Sequence, residues 1–351
     1  MWSLLMVAQK LLRPAPIASK PNKRPQDKCC QSFKVKNIVK RTIMNSPATN
    51  IVDQPTRAGI VALIGASNAG KSTLMNAMVG QKVSIVTPKV QTTRSRIRGI
   101  AMAGNAQIIF VDTPGIFTPK RRLDRAMVNA AWLGAEDGDV VLLLHDCARR
   151  SIDDDTRAIV KKLPKNNAKL SLVLNKIDLA PPERLLERTA EMSALCSFER
   201  VFMVSAETGS GVDDLKTWLA RKMPPSPFLF DPDDLSDMPL RLLAAEILRE
   251  KLFLNLHQEL PYQLTVETDR WTERDDGSAV VHLSIFVARE GHRGIILGKG
   301  GQTMRRIGTA ARRELETALD RRVHLFAHVK YRKDWMDDSA RYNQWGLDYN
   351  A

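Results

Sequence analysis

The stretch GASNAGKST, Gly65 to Thr73, decides the fold. It fits the pattern G-x-x-x-x-G-K-[ST], in which glycines let backbone N–H groups wrap phosphate oxygens. It lies between GIVALIG, which has the pattern of a buried strand, and KSTLMNAMVG, which has the pattern of a helix. This order predicts a nucleotide site in which Lys71 reaches the β- and γ-phosphates and Ser72 binds Mg²⁺. The predicted nucleotide contacts of the loop are Gly65, Ser67, Asn68, Ala69, Gly70, Lys71, Ser72 and Thr73.

The motif DTPG, residues 112–115, follows the strand-like run NAQIIFV. An aspartate at such a strand end can hold Mg²⁺ through water, and the N–H of Gly115 can contact the γ-phosphate. Pro-Gly alone is a common turn pair, but its position after the phosphate loop favours a nucleotide role. We therefore predict that Asp112 belongs to the metal site.

Two later motifs predict which base is bound. NKID, residues 175–178, follows the run LSLVL, and its Asp178 can accept hydrogen bonds from N1–H and the 2-amino group of guanine. Adenine has neither donor, so it would leave a buried carboxylate unpaired, which discriminates strongly. Asn175 would brace the loop and meet N7. In VSAETG, residues 204–209, the N–H of Ala206 would meet O6, and Lys176 and Ser205 complete the predicted base site. Together these motifs predict GTP rather than ATP.

The stretch VSIVTPKVQTTRSRIRGI, residues 83–100, separates the first two motifs and has no clean periodicity. This is the expected position of a loop that γ-phosphate and Mg²⁺ order and that hydrolysis releases. Thr92 and Thr93 are the candidate Mg²⁺ ligands, and we favour Thr93. The alternative for both threonines is simple β-propensity in a strand.

Two residues affect the expected rate of hydrolysis. Some GTPases orient the attacking water with a Gln just after D-x-x-G, but this chain has Ile116 there. Slow intrinsic hydrolysis, raised by another group, is therefore expected. Asn68 could ligate K⁺ beside the β–γ bridge, where the cation would act like an arginine finger, although a loop-capping role is the alternative. The predicted catalytic residues are Lys71, Thr93 and Asn68.

Apolar runs alternate with helical patterns from residue 59 onward, which predicts an α/β domain with a mainly parallel sheet and helices on both faces. Ligands of such sheets bind at the carboxyl ends of the strands, where each motif falls. The Pro- and Asp-rich stretch MPPSPFLFDPDDLSDMP reads as a linker to an α+β domain. The predicted parts are an extension (1–54), a GTPase domain (55–222), the linker (223–239), an RNA-binding domain (240–340) and a tail (341–351).

The second domain contains GKGG, residues 298–301, between two helical patterns. A helix, a G-x-x-G loop and another helix form the RNA clamp of KH domains, which grips about four nucleotides. A helix end followed by a turn would explain the glycines equally well. The net charge of +8 over residues 291–333 favours single-stranded RNA. The predicted RNA contacts are Gly298, Lys299, Gly300, Gly301, Arg305 and Arg306, with Arg312 and Arg313 as further phosphate-binding candidates.

The first 50 residues form a second basic region, with ten basic residues and one acidic residue. This composition is typical of a mitochondrial transit peptide, of a disordered RNA-binding arm, or of a misassigned start that precedes a true start at Met44. The net charge of the whole 351-residue chain is +14. An anionic partner, RNA or a membrane surface, is therefore expected. The four cysteines form no C-x-x-C pair, which predicts a reducing compartment.

In combination these motifs resemble the Era-type ribosome-associated GTPases. The resemblance covers roughly residues 55–340 and rests on GASNAGKS, QTTR, DTPG, NKID, VSA, LAAEILREKLF, GHRGIILGKGG and VKYRKDW. SNAG departs from the commoner PNVG, and Ser67 in place of Pro should loosen that turn slightly.

The resemblance implies a GTPase domain followed by a type II KH domain, in a factor that assembles the small ribosomal subunit. The implied cofactors are GTP or GDP with Mg²⁺, and the implied partners are the 3′ end of small-subunit rRNA and the 30S-type subunit. It also implies a monomer in the cytoplasm with peripheral inner-membrane contact, or in the mitochondrial matrix if residues 1–50 are a transit peptide. Alternatives are an RNA-binding scaffold with a structural, slowly turning over GTP site, and a membrane tether.

Overall fold

The computed structural model describes residues 55–163 and 169–351, together with the backbone of Phe33–Lys34. The predictions for the rest of the N-terminal extension lie outside the described residues. Within the described part of the chain, no helix is long and apolar enough to cross a bilayer.

The first domain is built on an eight-stranded sheet with the order β1-β8-β3-β4-β2-β5-β6-β7. Neighbouring strands in the run β4-β2-β5-β6-β7 pair in parallel. Strands β3, β8 and β1 extend the β4 edge by antiparallel pairing. The strands are β1 (Phe33–Lys34), β2 (Arg57–Gly65), β3 (Ile97–Ala103), β4 (Ala106–Asp112), β5 (Val140–Asp146), β6 (Leu170–Asn175), β7 (Val201–Val204) and β8 (Asp234–Ser236). The helices are α1 (Lys71–Val79), α2 (Arg122–Glu136), α3 (Asp154–Lys162), α4 (Pro182–Leu195) and α5 (Val212–Lys222).

The central strands are apolar on both sides because helices cover both faces of the sheet. Leu63 and Leu142 belong to the cluster on the α1 and α5 face, whereas Ile64 and Leu143 belong to the cluster on the opposite face. Strands β2, β4, β5 and β6 run in the same direction, so their carboxyl ends meet at one edge. That edge collects the phosphate loop and the DTPG and NKID motifs, and the predicted α/β architecture is confirmed.

The predicted linker contains regular structure. Residues Asp234–Ser236 form β8, which joins the edge of the first sheet by pairing Ser236 with Gly99. The Ser236 hydroxyl also donates to the Arg98 carbonyl at 2.6 Å. The prolines around β8 suggested a plain connector, but the segment is anchored to the first domain before the chain enters the second.

The second domain packs three helices on one face of a three-stranded sheet. Its strand order is β11-β10-β9, with β10 parallel to β11 and antiparallel to β9. The glycine loop 298–301 lies between α7 and α8, as the KH pattern predicts. The elements are α6 (Leu240–Asn255), β9 (Leu264–Glu273), β10 (Ala279–Val287), α7 (Gly291–Leu297), α8 (Gln302–Leu319), β11 (Val323–Tyr331) and α9 (Ser339–Gln344).

The segment predicted to be a C-terminal tail is folded. The boundary at residue 340 falls inside α9, and Tyr342 and Trp345 are buried. They belong to the same apolar cluster as Leu123 and Met127 of α2, so the end of the chain packs on a helix of the first domain. A short aromatic segment has no core of its own, but it buries its rings by covering a neighbouring helix.

Candidate functional site

The phosphate loop, residues 65–72, has the geometry of an anion cradle. Helix α1 begins at Lys71, and Gly70 precedes it in the left-handed region at φ 93° with no side chain to cap the helix. A Cβ at Gly70 would lie 2.2 Å from Nδ2 of Asn175, so this position requires glycine. The first N–H groups of α1 are therefore directed at the loop, where they can bind phosphate oxygens.

Lys71 lies at the floor of this cradle. Its Nζ donates to the carbonyls of Gly65 and Ala66, both at 3.0 Å. Burial lowers the pKa of Lys71 to about 8, and the charge of Asp112 acts in the opposite direction. Both hydrogen bonds go to uncharged carbonyls, so an anion in the cradle would stabilise the protonated amine.

Asp112 gathers three hydroxyl groups at the end of β4. Its Oδ2 accepts from Ser72 at 2.6 Å, from Ser84 at 3.0 Å and from Thr93 at 3.2 Å, and the Ser72 and Thr93 hydroxyls lie 3.0 Å apart. Burial raises the pKa of Asp112, while these hydrogen bonds and Lys71 lower it. Its buried Oδ1 has no partner among the described residues. Carboxylate and hydroxyl oxygens suit Mg²⁺, so this donor set fits the predicted metal.

The structure brings only one of the two candidate threonines to this group. The Thr92 hydroxyl lies 2.6 Å from that of Thr87 and donates to the Lys89 carbonyl at 2.7 Å. The prediction that Thr92 is a metal ligand is therefore corrected. Of the two threonine hydroxyls, only that of Thr93 bonds to Asp112.

The base-binding motifs meet through Asn175. Its Nδ2 donates to the Ala69 carbonyl at 2.9 Å, and its Oδ1 accepts from the Ala206 N–H at 3.1 Å. The Ala206 N–H therefore holds two loops together here, which differs from the predicted free donor for O6. Ser205 is buried and its hydroxyl caps the Thr208 N–H at 3.2 Å. The Asp178 carboxylate is exposed beside this brace and open to a base.

A second brace joins the base site to the phosphate loop. Lys176 Nζ lies 2.7 Å from Asp146 Oδ2, and Arg149 donates to the carbonyl of Ser67 at 3.2 Å. Arg149 is itself held by Asp153 at 2.9 Å. A cavity of about 280 Å³ lies beside the phosphate loop, and most of the predicted phosphate and metal residues line it. Those lining it are Ser67, Asn68, Gly70, Lys71, Ser72, Thr73, Thr93, Gly115 and Lys176, with Thr92 also at its margin.

Ile116 fills the position expected to orient water. It is 6% exposed, and its N–H donates to the Gly65 carbonyl at 3.1 Å. Neither its side chain nor its N–H can therefore position a water molecule, and slow intrinsic hydrolysis stays a prediction.

The candidate RNA site is a groove of about 400 Å³ between α8 and β11. Apolar side chains form its floor, and Arg305 and Arg312 lie along its rim. The lining residues are Leu297, Gly301, Met304, Arg305, Gly308, Thr309, Arg312, Leu325 and Ala327. Such a groove can take unpaired bases against its apolar side chains while arginines bind phosphates.

The glycine loop closes one end of this groove. Gly300 has φ 59° and Gly301 has φ 76°, and no described atom would touch a Cβ placed on either residue. At Gly298, with φ 71°, a Cβ would lie 2.2 Å from the Thr303 hydroxyl. Lys299 and Arg306 are exposed beside the loop. The backbone here is open to a sugar-phosphate chain.

The loop that joins α1 to β3 is here called the switch loop (residues 80–96). It contacts α6 and the start of β9, and the sequence does not predict these contacts. Glu250 accepts from the Val86 N–H at 2.8 Å, Arg249 donates to the Thr92 carbonyl, and Arg94 donates to the Leu264 carbonyl at 2.8 Å. Lys89 donates to the carbonyls at the end of α6.

Three of the charged side chains in these contacts are as buried as core residues. Arg94 is 2% exposed, Arg249 is 1% and Glu250 is 2%. Charged residues are almost never buried unless they are paired. The available signal is the charged run LREKL, residues 248–252, in a helix with an otherwise apolar face.

Comparison with known proteins identifies both domains. Residues 60–176 match the protein family described as 50S ribosome-binding GTPase, and residues 259–336 match the KH domain family. GTPase Era of Dinoroseobacter shibae is 54% identical over 298 residues, which are 84% of this chain and 96% of that protein. GTPase Era of Bradyrhizobium sp. (strain ORS 278) is 55% identical over 294 residues, covering 84% and 95%.

Two solved structures have a similar fold. An Aquifex aeolicus Era variant bound to GDP·AlF4⁻ is 36% identical, with a TM-score of 0.78, and the match covers 83% of this chain and 99% of that one. Era in complex with MgGDPNP and nucleotides 1506–1542 of 16S ribosomal RNA is also 36% identical, with a TM-score of 0.77 and the same coverage.

The two adjacent threonines give a matched test of the metal site. We expect Thr93→Ala to raise the Mg²⁺ concentration for half-maximal GTP hydrolysis by roughly tenfold or more, because an oxygen of the metal site is lost. Thr92→Ala should stay within twofold of the unchanged protein. Mg²⁺ titrations of hydrolysis and of GTP-analogue binding measure both, and equal effects of the two substitutions would contradict the assignment of Thr93.

Proposed function

Because the chain belongs to the Era family of GTPases, we propose that it is a GTP-switched RNA-binding factor for assembly of the small ribosomal subunit. Hydrolysis of GTP to GDP and phosphate is the activity of that family. The observation that carries the proposal is the switch loop, which contacts the predicted metal site on one side and the KH domain on the other.

The proposed reaction uses the residues of the phosphate cavity. Lys71 and the N–H groups at the start of α1 bind the β- and γ-phosphates, and the Gly115 N–H contacts the γ-phosphate. Ser72 and Thr93 would ligate Mg²⁺ through their hydroxyl oxygens, and Asp112 would hold both hydroxyls in place. Asp178 selects guanine while Asn175 fixes the loops around it. Mg²⁺ supplies charge neutralisation between the phosphates when it is bound.

K⁺ is a proposed second cation at Asn68. The Asn68 amide lies against the switch loop, with Nδ2 donating to the Pro88 carbonyl at 2.9 Å. An amide turned by half a rotation would present its oxygen beside that carbonyl, which would give two oxygen ligands next to the phosphate loop. A cation there would stabilise charge that develops at the β–γ bridge.

The proposed RNA ligand is the 3′ end of small-subunit rRNA. The groove between α8 and β11 and the open glycine loop support a single-stranded ligand. The similar Era structure bound to nucleotides 1506–1542 of 16S rRNA supports this choice of RNA. Arg305 and Arg306 would bind phosphates on either side of the loop.

The proposed switch is the packing of the switch loop on α6. When γ-phosphate and Mg²⁺ hold Thr93, the neighbouring Thr92 carbonyl and Val86 N–H are presented to Arg249 and Glu250. Loss of the γ-phosphate would release Thr93 and with it this set of contacts. By linkage, RNA that favours the same arrangement would tighten GTP binding by the same factor.

The resemblance also implies a 30S-type partner, a monomeric state and peripheral contact with the inner membrane from the cytoplasm. These stay predictions, and the mitochondrial alternative depends on residues outside the described part of the chain.

The first experiment is ultraviolet crosslinking of the protein to total RNA, followed by sequencing, with GDP and with a non-hydrolysable GTP analogue. We expect a peak at the 3′ end of small-subunit rRNA with the analogue, reduced at least tenfold with GDP. Equal and scattered crosslinks in both states would contradict a switched factor and favour an RNA-binding scaffold whose GTP site is structural.

Two glycines give a matched test of the RNA groove. Gly300 and Gly277 both have positive φ, 59° and 78°, and a Cβ on either would meet no described atom. We expect Gly300→Asp to weaken RNA binding by at least tenfold, because a carboxylate would repel the phosphates that the loop approaches. GTP affinity should not change. Gly277→Asp imposes a similar backbone strain in a hairpin and should leave RNA binding intact.

Filter binding of labelled rRNA and a fluorescent GTP analogue measure both affinities for each variant. Unchanged RNA affinity in Gly300→Asp would remove the loop from the RNA site.

Two asparagines test the K⁺ site in the same way. The side chains of Asn68 and Asn105 each donate to a proline carbonyl at 2.9 Å. Hydrolysis should be at least tenfold faster in K⁺ than in Na⁺ for the unchanged protein and for Asn105→Ala. Asn68→Ala should lose that difference, because it loses one oxygen ligand. If Asn68→Ala retains the full preference for K⁺, the cation is bound elsewhere.

A further inference from the structure

Ser67 carries a buried hydroxyl group that nothing in the described chain satisfies. The residue is 8% exposed, and its Oγ has no hydrogen-bond partner in residues 55–163 or 169–351. Leaving a buried polar group unpaired costs roughly 1–3 kcal/mol. Because Ser67 lines the cavity of the phosphate loop, a ligand bound there can supply the missing partner.

The surroundings of Ser67 show which part of the ligand that would be. A Cβ added to Gly115 would lie 2.6 Å from the Ser67 hydroxyl oxygen and 2.9 Å from its Cα. The hydroxyl therefore lies directly against the glycine of DTPG, and Ser67 lines the cavity that Lys71 and Thr93 also line. This is the γ-phosphate end of the proposed nucleotide site.

Arg149 holds the backbone of Ser67 in place. It donates to the Ser67 carbonyl at 3.2 Å while Asp153 holds its guanidinium at 2.9 Å. The carbonyl is therefore held on the Arg149 side while the hydroxyl faces Gly115. A hydroxyl can donate one hydrogen bond and accept two, so it can bind a water molecule that also touches a phosphate.

The residue that follows DTPG does not supply such a group. Ile116 has no polar side-chain atom, and its N–H is already bonded to the Gly65 carbonyl at 3.1 Å. Attack on the γ-phosphate requires a water molecule held in line with the bond that breaks.

We propose that Ser67 is a catalytic residue whose hydroxyl oxygen accepts a hydrogen bond from the attacking water and orients it toward the γ-phosphate. The water oxygen forms a bond to the γ-phosphorus as the bond from phosphorus to the β–γ bridging oxygen breaks. GDP leaves with that electron pair, and the proton of the water passes to the released phosphate. The inference rests on the proposed nucleotide site and adds to it a water-positioning group where Ile116 provides none.

The test compares Ser67→Ala with Ser171→Ala. Ser171 is a matched control, because its hydroxyl is also buried without a partner in the described chain but lies in β6 outside the cavity. Ser67→Pro is a second variant that removes the hydroxyl while keeping the turn stiff. Single-turnover hydrolysis, binding of GDP and of MgGDPNP, and binding of GDP with aluminium fluoride are measured for each.

We expect Ser67→Ala and Ser67→Pro to lower the hydrolysis rate and the affinity for GDP with aluminium fluoride by about tenfold. Affinities for GDP and MgGDPNP should stay within twofold, because the contact to the water forms as the reaction proceeds. Ser171→Ala should match the unchanged protein in all four measurements.

Unchanged hydrolysis and aluminium fluoride binding in both Ser67 variants would overturn the proposal. A parallel loss of GDP affinity would also overturn it, since the hydroxyl would then serve only the bound ground state. Failure of the nucleotide site itself is distinguishable, because Lys71→Ala would in that case bind GDP and MgGDPNP as tightly as the unchanged protein.

Discussion

The buried carboxylate of Asp112 is the constraint on which the rest of the site depends. It accepts hydrogen bonds from Ser72 on α1, from Ser84 at the start of the switch loop and from Thr93 near its end. A buried charge is expensive unless it is hydrogen-bonded, so Asp112 favours the arrangement in which all three hydroxyls approach it. The switch loop is thereby folded back on the phosphate loop. Mg²⁺ would add a metal–oxygen contact to the Ser72 and Thr93 hydroxyls and so stabilise their position beside Asp112.

The switch loop has hydrogen bonds on two sides, to Asp112 of the metal site and to α6 of the second domain. Arg249 and Glu250 bond to its backbone, and Arg94 reaches from the loop into the second domain, where its guanidinium lies 5.8 Å from the ring centre of Phe253. Removing one partner of such a buried set leaves an uncompensated charge and costs several kcal/mol. The loop therefore cannot leave the phosphate loop without also disturbing α6. Under the proposed switch, both ligands would bias the position of this loop, which is the physical requirement for coupling.

The order of strands and helices could be predicted from the sequence, and so could both glycine loops, because each depends on residues that are adjacent in the chain. The sequence favours Thr93 over Thr92 as a metal ligand. Excluding Thr92 requires the structure, because the loop is irregular and the contacts of each hydroxyl depend on its path. The contacts of α6 could not be predicted, since Arg249 and Glu250 have the pattern of surface charges and their partners lie 157 and 164 residues away. The packing of Trp345 on α2 was missed for the same reason, because no local pattern shows which distant helix an aromatic segment covers.

Helix α8 joins the switch loop to the candidate RNA groove. Lys82, at the start of the switch loop, bonds to Glu250 on α6 at 2.7 Å and to Glu314 on α8 at 2.6 Å. Arg305, on the rim of the groove, lies nine residues before Glu314 on the same helix, a distance of about 14 Å along a rigid axis. Under the proposed switch, a movement of Lys82 would act on Glu314 and so on the helix that follows the glycine loop. Exposed ion pairs contribute little to stability, but Glu250 is buried and Glu314 is also paired with Lys251 of α6, so α6, α8 and the start of the switch loop are joined at this point.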